Sequence, residues 1–441
     1  MIAFMVESRE EAHSRQPQFN RLAAACRGTW SLHRVKLLRF GVLIMAVAAV
    51  VWLGHEYSRL LWQPGRDGPI DLRLLRKQSI AWVEGIDTYA PHSSGLYPPA
   101  SYPILWLAEG WMEETAARWV WAVSTLFLLV WLIYLVIDAV RPESRLEALF
   151  LALIPLSAYA TGETIGNGQL ALHIVPPLIV GTLWLTTSRS PSASSQGNAP
   201  WADWLANMLR HRTGWLRDLL GAAMILIGLV KPSIAAPFFW IVLFVPRRLR
   251  PAILVLVGYV LLTGLAVSFQ KQSPLALIQA WLTSSQRVST IGSSNLTLWL
   301  GDLGLNQLIL PAAATLVIAL GIWIWLYRGA DVWLLLGVSA IVARFWLYHW
   351  PDDDVILIVP LITLLRIVKR GARADAADVI AGLLAFFLLM AMVAPGANSL
   401  FPSLLNTIYA DAQVIIWLVV LGFLMVFAAR DHPVPAARFS R

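Results

Sequence analysis

The sequence is poor in cysteine and in charge. Cys26 is the single cysteine among 441 residues, which excludes an internal disulfide and a thiolate metal cluster. Charged residues make up 14% of the chain and hydrophobic residues 58%, whereas soluble domains carry roughly 25% charged residues. Apolar runs of about 17 to 25 residues recur, and each is long enough to cross a bilayer as a helix. The composition excludes a water-soluble fold and predicts an all-α polytopic membrane protein.

The apolar runs and the breaks between them predict about twelve transmembrane helices, some of them short. They cover residues 39–57, 116–138, 146–161, 168–187, 219–230, 232–245, 251–269, 308–327, 331–349, 354–369, 377–394 and 413–429. The runs on either side of Lys231-Pro232 are interpreted as halves of one broken helix, because proline removes a backbone hydrogen bond. Residues 39–429 then form a single membrane-embedded domain.

The basic residues predict the orientation of the chain. Most of the 34 lysines and arginines fall in the N-terminal segment and in alternate loops, and the positive-inside rule makes that side cytoplasmic. Residues 1–38 and 430–441 are then cytoplasmic tails of a multi-pass protein of the inner (plasma) membrane. The long external loops are about 58–115 and 270–307. The positions of the basic residues next to apolar runs fit membrane topology better than they fit nucleic-acid binding, so topology explains the net charge of +8.

The first external loop carries the densest polar sequence in the chain. Its part 70–84 mixes apolar side chains with Arg73, Arg76 and Lys77, which predicts an amphipathic helix in the membrane interface. Basic groups there lie at the level of lipid phosphates. Asp71 stands at the start of this helix, and helix capping is the alternative interpretation of that residue.

Further polar motifs follow in a fixed order over roughly residues 40–370. They are Gly85, Asp87 and Tyr89; Tyr97-Pro98-Pro99; Gly166-Asn167-Gly168-Gln169; Gly228 to Pro232 with Lys231; Ser294-Asn295-Leu296-Thr297; and Tyr348-His349-Trp350 followed by Asp352, Asp353 and Asp354. Together with Asp71, this series resembles the polyprenyl-phosphate-sugar-dependent mannosyltransferases of glycosyltransferase family 87, in the C-type superfamily of membrane glycosyltransferases.

The resemblance implies transfer of a hexose, with inversion, from a polyprenyl-phosphate donor to a lipid or glycan acceptor at the external face. The attacking hydroxyl needs a base, for which Asp71 is the candidate. The leaving phosphate needs cations. The candidates are Arg73, Arg76, Lys77 and Lys231. The first three also fit simple attraction to membrane lipids. Inserting a lysine into the middle of a membrane helix costs about 2.5 to 3.5 kcal/mol, and this cost favours a functional role for Lys231.

The other candidate substrate-binding residues are polar or aromatic members of the matching motifs. They are Asp87, Tyr89, Tyr97, Gln169, Asn295 and His349. Asp87 also fits a local turn, and Gln169 and Asn295 also fit helix caps. Trp82, Trp106, Trp281 and Trp299 fit either sugar stacking or the interfacial belt.

No metal or cofactor is predicted, and the lipid-linked donor is a substrate. Three adjacent aspartates, Asp352 to Asp354, are of the ligand type that hard cations prefer. Neighbouring residues in a loop point in different directions, however, and pairing of one of them with Arg344 is an alternative.

Two other functions remain open at the level of sequence. A transporter or flippase of a lipid-linked sugar would use the same cationic cavity without a base, and an oligosaccharide ligase would need a larger second external loop. Replacing Asp71 by asparagine separates a transferase from a transporter.

Overall fold

The protein is all-helical over the residues that the structure, a computed structural model, describes. These are 33–90, 95–186, 214–246, 248–288, 300–301, 303–347, 349–370, 376–394 and 403–432. The helices are α1 His33–Trp62, α2 Ile70–Val83, α3 Ser101–Leu105, α4 Glu114–Val140, α5 Arg145–Ser157, α6 Tyr159–Asn167, α7 Ala171–Thr186, α8 Gly214–Gly228, α9 Pro232–Phe244, α10 Arg250–Val267, α11 Pro274–Val288, α12 Ile309–Leu326, α13 Val332–Trp346, α14 Ile358–Arg370, α15 Ala376–Val393 and α16 Ser403–Asp431. A π-helical turn follows α3, and short 3-10 turns precede α2, α12 and α14. Within this part of the chain no strand occurs.

Among the described residues, six helices are long and apolar enough to cross a membrane, and the number rises to eight if each of two bent helix pairs is one span. The prediction of a helical membrane protein is confirmed. The prediction of about twelve spans is not. The runs 219–230 and 232–245 belong to one bent pair, and α7, α13 and α14 have only 16, 15 and 13 residues. At 1.5 Å per residue these three are too short to cross roughly 30 Å of hydrocarbon.

The short helices α7 and α13 bury most of their surface inside the protein. Their apolar residues therefore serve the protein core and not a lipid contact. Hydropathy alone does not distinguish a helix buried in the protein from a helix that contacts lipid, because both environments accept the same apolar side chains.

Three breaks in the chain place polar residues next to one another. Helices α5 and α6 meet at 45°, and α8 and α9 meet at 119° around Lys231. The broken helix predicted at Lys231-Pro232 is thereby confirmed. The third break is the 3-10 turn Pro351–Leu357 between α13 and α14. Helix α6 packs on this turn, and the Thr164 hydroxyl donates to the carbonyl oxygen of Asp352 at 2.8 Å.

The predicted first external loop is folded and fixed to α10. Trp82 is fully buried, stacks on Tyr102 with ring centroids 4.3 Å apart, and donates to the carbonyl oxygen of Ala266 at 2.9 Å. Trp281 of α11 donates to the carbonyl oxygen of Leu96 at 3.0 Å. Both tryptophans therefore hold the loop in place, and buried Trp82 has no face left for a sugar ring.

Two glycines at the end of α6 allow two other helices to approach. A Cβ atom on Gly166 would clash with the carboxylate of Glu56 in α1, and one on Gly168 would clash with Leu72 in α2. Gly168 also has φ +74°, a left-handed conformation that favours glycine. The Gly166-Asn167-Gly168 motif therefore sets how closely α1 and α2 pack on α6.

Replacing Gly168 by alanine is expected to lower the free energy of unfolding by more than about 1 kcal/mol, because backbone strain adds to the clash with Leu72. Thermal unfolding of the purified protein in detergent measures the effect. Gly264→Ala in α10 is the matched control, since no atom lies within 4 Å of its Cβ position and alanine is the better helix former. Equal losses for the two variants would contradict the close packing of α2 on α6.

Candidate functional site

A cavity of about 360 Å³ lies between α2, the end of α6, the α8–α9 bend and the turn before α14. Its apolar lining residues are Ile70, Leu74, Leu75 and Leu96. Its polar lining residues are Asp71, Gln78, Asn167, Gln169, Lys231 and Asp352, and the aromatic residues Tyr97 and Trp350 complete the lining. Four of the residues predicted from the sequence thus line one cavity: Asp71, Tyr97, Gln169 and Lys231. A cavity with both apolar and polar lining residues suits a ligand that has an apolar part and a polar head.

Lys231 sits at the bend between α8 and α9 and is 3% exposed. Its Nζ lies 2.5 Å from Oδ1 of Asp353 and 3.4 Å from Oε1 of Gln169. A buried ammonium group is tolerated when a fixed anion offsets its loss of hydration. The structure thus supplies the anion that a lysine in an apolar run requires.

Asp71 lies in the first turn of α2 and is half-buried. Its carboxyl group hydrogen-bonds to Gln169, and the N-cap of α2 is Pro69 without a side-chain cap, so the capping interpretation does not hold. Burial raises the pKa of the Asp71 carboxyl above its usual value, although the bond to Gln169 and the charge of Lys231 oppose the rise. A carboxylate with a raised pKa is a stronger proton acceptor than an exposed one.

A second charged cluster lies behind Asn167. Arg59 of α1 donates to Oδ1 of Asn167 at 2.7 Å and to Oε2 of Glu163 at 3.3 Å, and its Nε lies 2.9 Å from the fully buried Glu56. The positive charge of Arg59 also acts on Asp71. The sequence did not lead us to predict this cluster, although Glu56, an acidic residue at the end of an apolar run, is a signal for it.

The three cations of α2 do not line the cavity. Arg73 donates to the carbonyl oxygen of Gly65, Arg76 donates to that of Met112 at 2.8 Å, and Lys77 is exposed. The cavity-facing residues of α2 follow the helical spacing 70, 71, 74, 75 and 78. Arg73, Arg76 and Lys77 fall between these positions, so the structure does not bring them to Asp71.

Asp87 and Tyr89 also lie outside the cavity wall. Oδ1 of Asp87 accepts from the backbone N–H of Tyr89 at 2.8 Å, which confirms the turn interpretation of Asp87. The buried Tyr89 hydroxyl donates to the carbonyl oxygen of Tyr97 at 2.6 Å. These two residues therefore position the loop that brings Tyr97 to the cavity.

His349 and Asn295 are the remaining residues predicted from the sequence. His349 is fully buried, does not line the cavity, and lies within electrostatic reach of Asp353 and Lys231. Asn295 lies outside the described residues.

The three adjacent aspartates have three different surroundings. Asp354 forms an ion pair with the buried Arg344, as one of the sequence alternatives predicted, and Asp353 binds Lys231. Asp352 faces the cavity. Over the described ranges no group of three or more His, Cys, Asp or Glu side chains has an arrangement that could hold a metal ion.

Comparisons with known proteins assign no family to this arrangement. No family model matches the chain, and neither a curated protein nor a solved structure matches it. The resemblance drawn from the motifs therefore stays a prediction, and the functional argument rests on the cavity.

Proposed function

We propose that this chain is a membrane glycosyltransferase of the C-type superfamily, which moves a hexose from a polyprenyl-phosphate donor to a lipid or glycan acceptor. The single observation that carries the proposal is that Asp71 and Lys231 line one cavity together with apolar side chains. Mannose is the sugar that the family resemblance favours. The positive-inside rule puts the reaction at the external face of the inner membrane, with both termini in the cytoplasm.

In the proposed step, Asp71 accepts the proton of the acceptor hydroxyl while the oxygen attacks the anomeric carbon of the sugar. The bond between that carbon and the phosphate oxygen breaks, and its electron pair leaves with polyprenyl phosphate. Attack from the face opposite the phosphate inverts the anomeric configuration. Because negative charge develops on the leaving oxygen, a fixed cation lowers the barrier. Among the described residues, Lys231 is the basic residue that lines the cavity.

The apolar lining residues support a lipid-linked substrate. Ile70, Leu74 and Leu75 of α2 line the cavity, and their contact with the first prenyl units would remove apolar surface from water at about 25 cal/mol per Å². A soluble sugar nucleotide has no prenyl chain to make this contact.

The test is to incubate the purified protein with labelled polyprenyl-phosphate mannose and a membrane lipid extract. Formation of a mannosylated product, detected by mass, together with release of polyprenyl phosphate, is the expected result. In proteoliposomes a flippase would instead move the intact donor between leaflets and form no product. That outcome would replace the enzyme by a transporter that uses the same cavity.

A further inference from the structure

Asp352 is a buried carboxyl group that faces the cavity and has no role in the step above. Its side chain belongs to a residue that is 5% exposed, and Oδ2 has no hydrogen-bond partner among the residues that the structure describes. The carbonyl oxygen of Asp352 accepts from the Thr164 hydroxyl at 2.8 Å, which holds this part of the turn against α6. This bond fixes the backbone of Asp352, a residue that lines the cavity.

A buried polar atom without a partner is costly, by roughly 1 to 3 kcal/mol. Native structures keep few such atoms, and each one calls for an explanation. The two neighbouring aspartates show the contrast, since Asp353 is satisfied by Lys231 and Asp354 by Arg344. Because Oδ2 of Asp352 is enclosed, a rotation of the side chain toward the cavity would let a ligand supply the partner and recover part of the cost.

The groups around Asp352 favour its neutral form. Burial and the negative charges of Asp353 and Asp71 raise the pKa of Asp352 well above its usual value, and the positive charge of Lys231 opposes this rise. His349, on the same segment, is buried beside the same charges. A neutral carboxyl group has one O–H to donate, which a carboxylate lacks.

We propose that Asp352 donates a hydrogen bond to the phosphate of the lipid-linked substrate, next to Lys231. The inference rests on the proposed function only insofar as that function places a phosphate-linked carrier in this cavity. A phosphate near the ionised Asp71 and Asp353 would face two negative charges with one lysine in the cavity wall. A neutral Asp352 adds a donor at that point and removes a third repulsion.

The test measures binding of a short-chain prenyl phosphate, without sugar, to the full-length protein in detergent. Asp352→Asn keeps a neutral N–H donor and is expected to bind within about threefold of the wild type, whereas Asp352→Leu loses the donor and is expected to bind about tenfold or more weakly. Asp138→Asn is the matched control, because Asp138 is exposed near the far end of α4.

A pH series separates this role from a purely structural one. As pH rises through the raised pKa of Asp352, the wild type loses its O–H donor and its affinity is expected to fall, whereas Asp352→Asn keeps its affinity over the same range. Asp71, Asp353, His349 and the ligand can titrate in both proteins, so a fall in affinity that occurs only in the wild type reports the ionisation of Asp352.

Each contrary outcome has its own meaning. Binding by Asp352→Asn that is as weak as that of Asp352→Leu would show a carboxylate acceptor and overturn this inference alone. Failure of inorganic phosphate to compete with the prenyl phosphate would show that the prenyl chain, and not the phosphate, occupies this part of the cavity, and would also overturn it. Absence of prenyl phosphate binding by the wild type would remove both this inference and the proposed function.

Discussion

Asp71→Asn is expected to slow sugar transfer by about 100- to 10,000-fold, because the variant has no group that accepts the proton of the attacking hydroxyl. Donor binding should change little, since asparagine has nearly the same shape and can still hydrogen-bond to Gln169. The rate of product formation, measured by mass, and the affinity for prenyl phosphate are both needed. A loss of rate without a loss of binding assigns Asp71 to the chemical step.

The pH dependence gives a second test of the same residue. Asp71 acts as a base only when it is ionised, so the rate of the wild type should fall as pH falls through the raised pKa of its carboxyl group. Asp138→Asn, in which an exposed aspartate is changed, should keep both the rate and this profile. If Asp71→Asn still transferred sugar at the wild-type rate, another base would be required and the assignment would fail.

Lys231→Met is expected to lower the free energy of unfolding by about 3 to 5 kcal/mol, because the change leaves Asp353 buried without its cation. The two groups lie 2.5 Å apart, and their side chains are 4% and 0% exposed. The shift in thermal unfolding of the purified protein measures the loss. Lys271→Met, at an exposed lysine, is the control and should have little effect.

The double variant Lys231→Met, Asp353→Leu separates stability from function. Removing both charges eliminates the uncompensated carboxylate, so much of the lost stability should return. Affinity for prenyl phosphate should stay low, because the cation that lines the cavity is absent. If the double variant unfolded as easily as the single one, the ion pair would not be the source of the loss.

The motifs in the sequence predicted four of the residues that line the cavity. Asp71, Gln169 and Lys231 are far apart in the chain, and the structure brings all three to one cavity. Gln169 follows Gly168 and Lys231 precedes Pro232, and a helix ends or bends at such a glycine or proline. The polar groups beside the break can then bind groups outside their own helix. Such breaks are visible in a sequence, so the meeting of these residues was predictable.

The side of α2 that lines the cavity was not predictable from the sequence. The sequence shows that 70–84 is amphipathic, but Leu72 and Leu74 are equally apolar, and one packs on Gly168 while the other lines the cavity. Only tertiary packing decides between them. Arg73 and Arg76 therefore were expected at the donor phosphate, whereas they hydrogen-bond to the carbonyl oxygens of Gly65 and Met112.

The 3-10 turn Pro351–Leu357 makes the length of the chain at this point as important as its composition. A 3-10 helix has about three residues per turn, so successive side chains point about 120° apart. Deleting one residue before Asp352 would rotate the whole set, bringing the wrong carboxyl group to Lys231 and to Arg344. Lys231→Met removes one partner, whereas a shift in register would mismatch all three aspartates at once. Tolerance to insertion or deletion here should therefore be lower than tolerance to an exchange of one side chain.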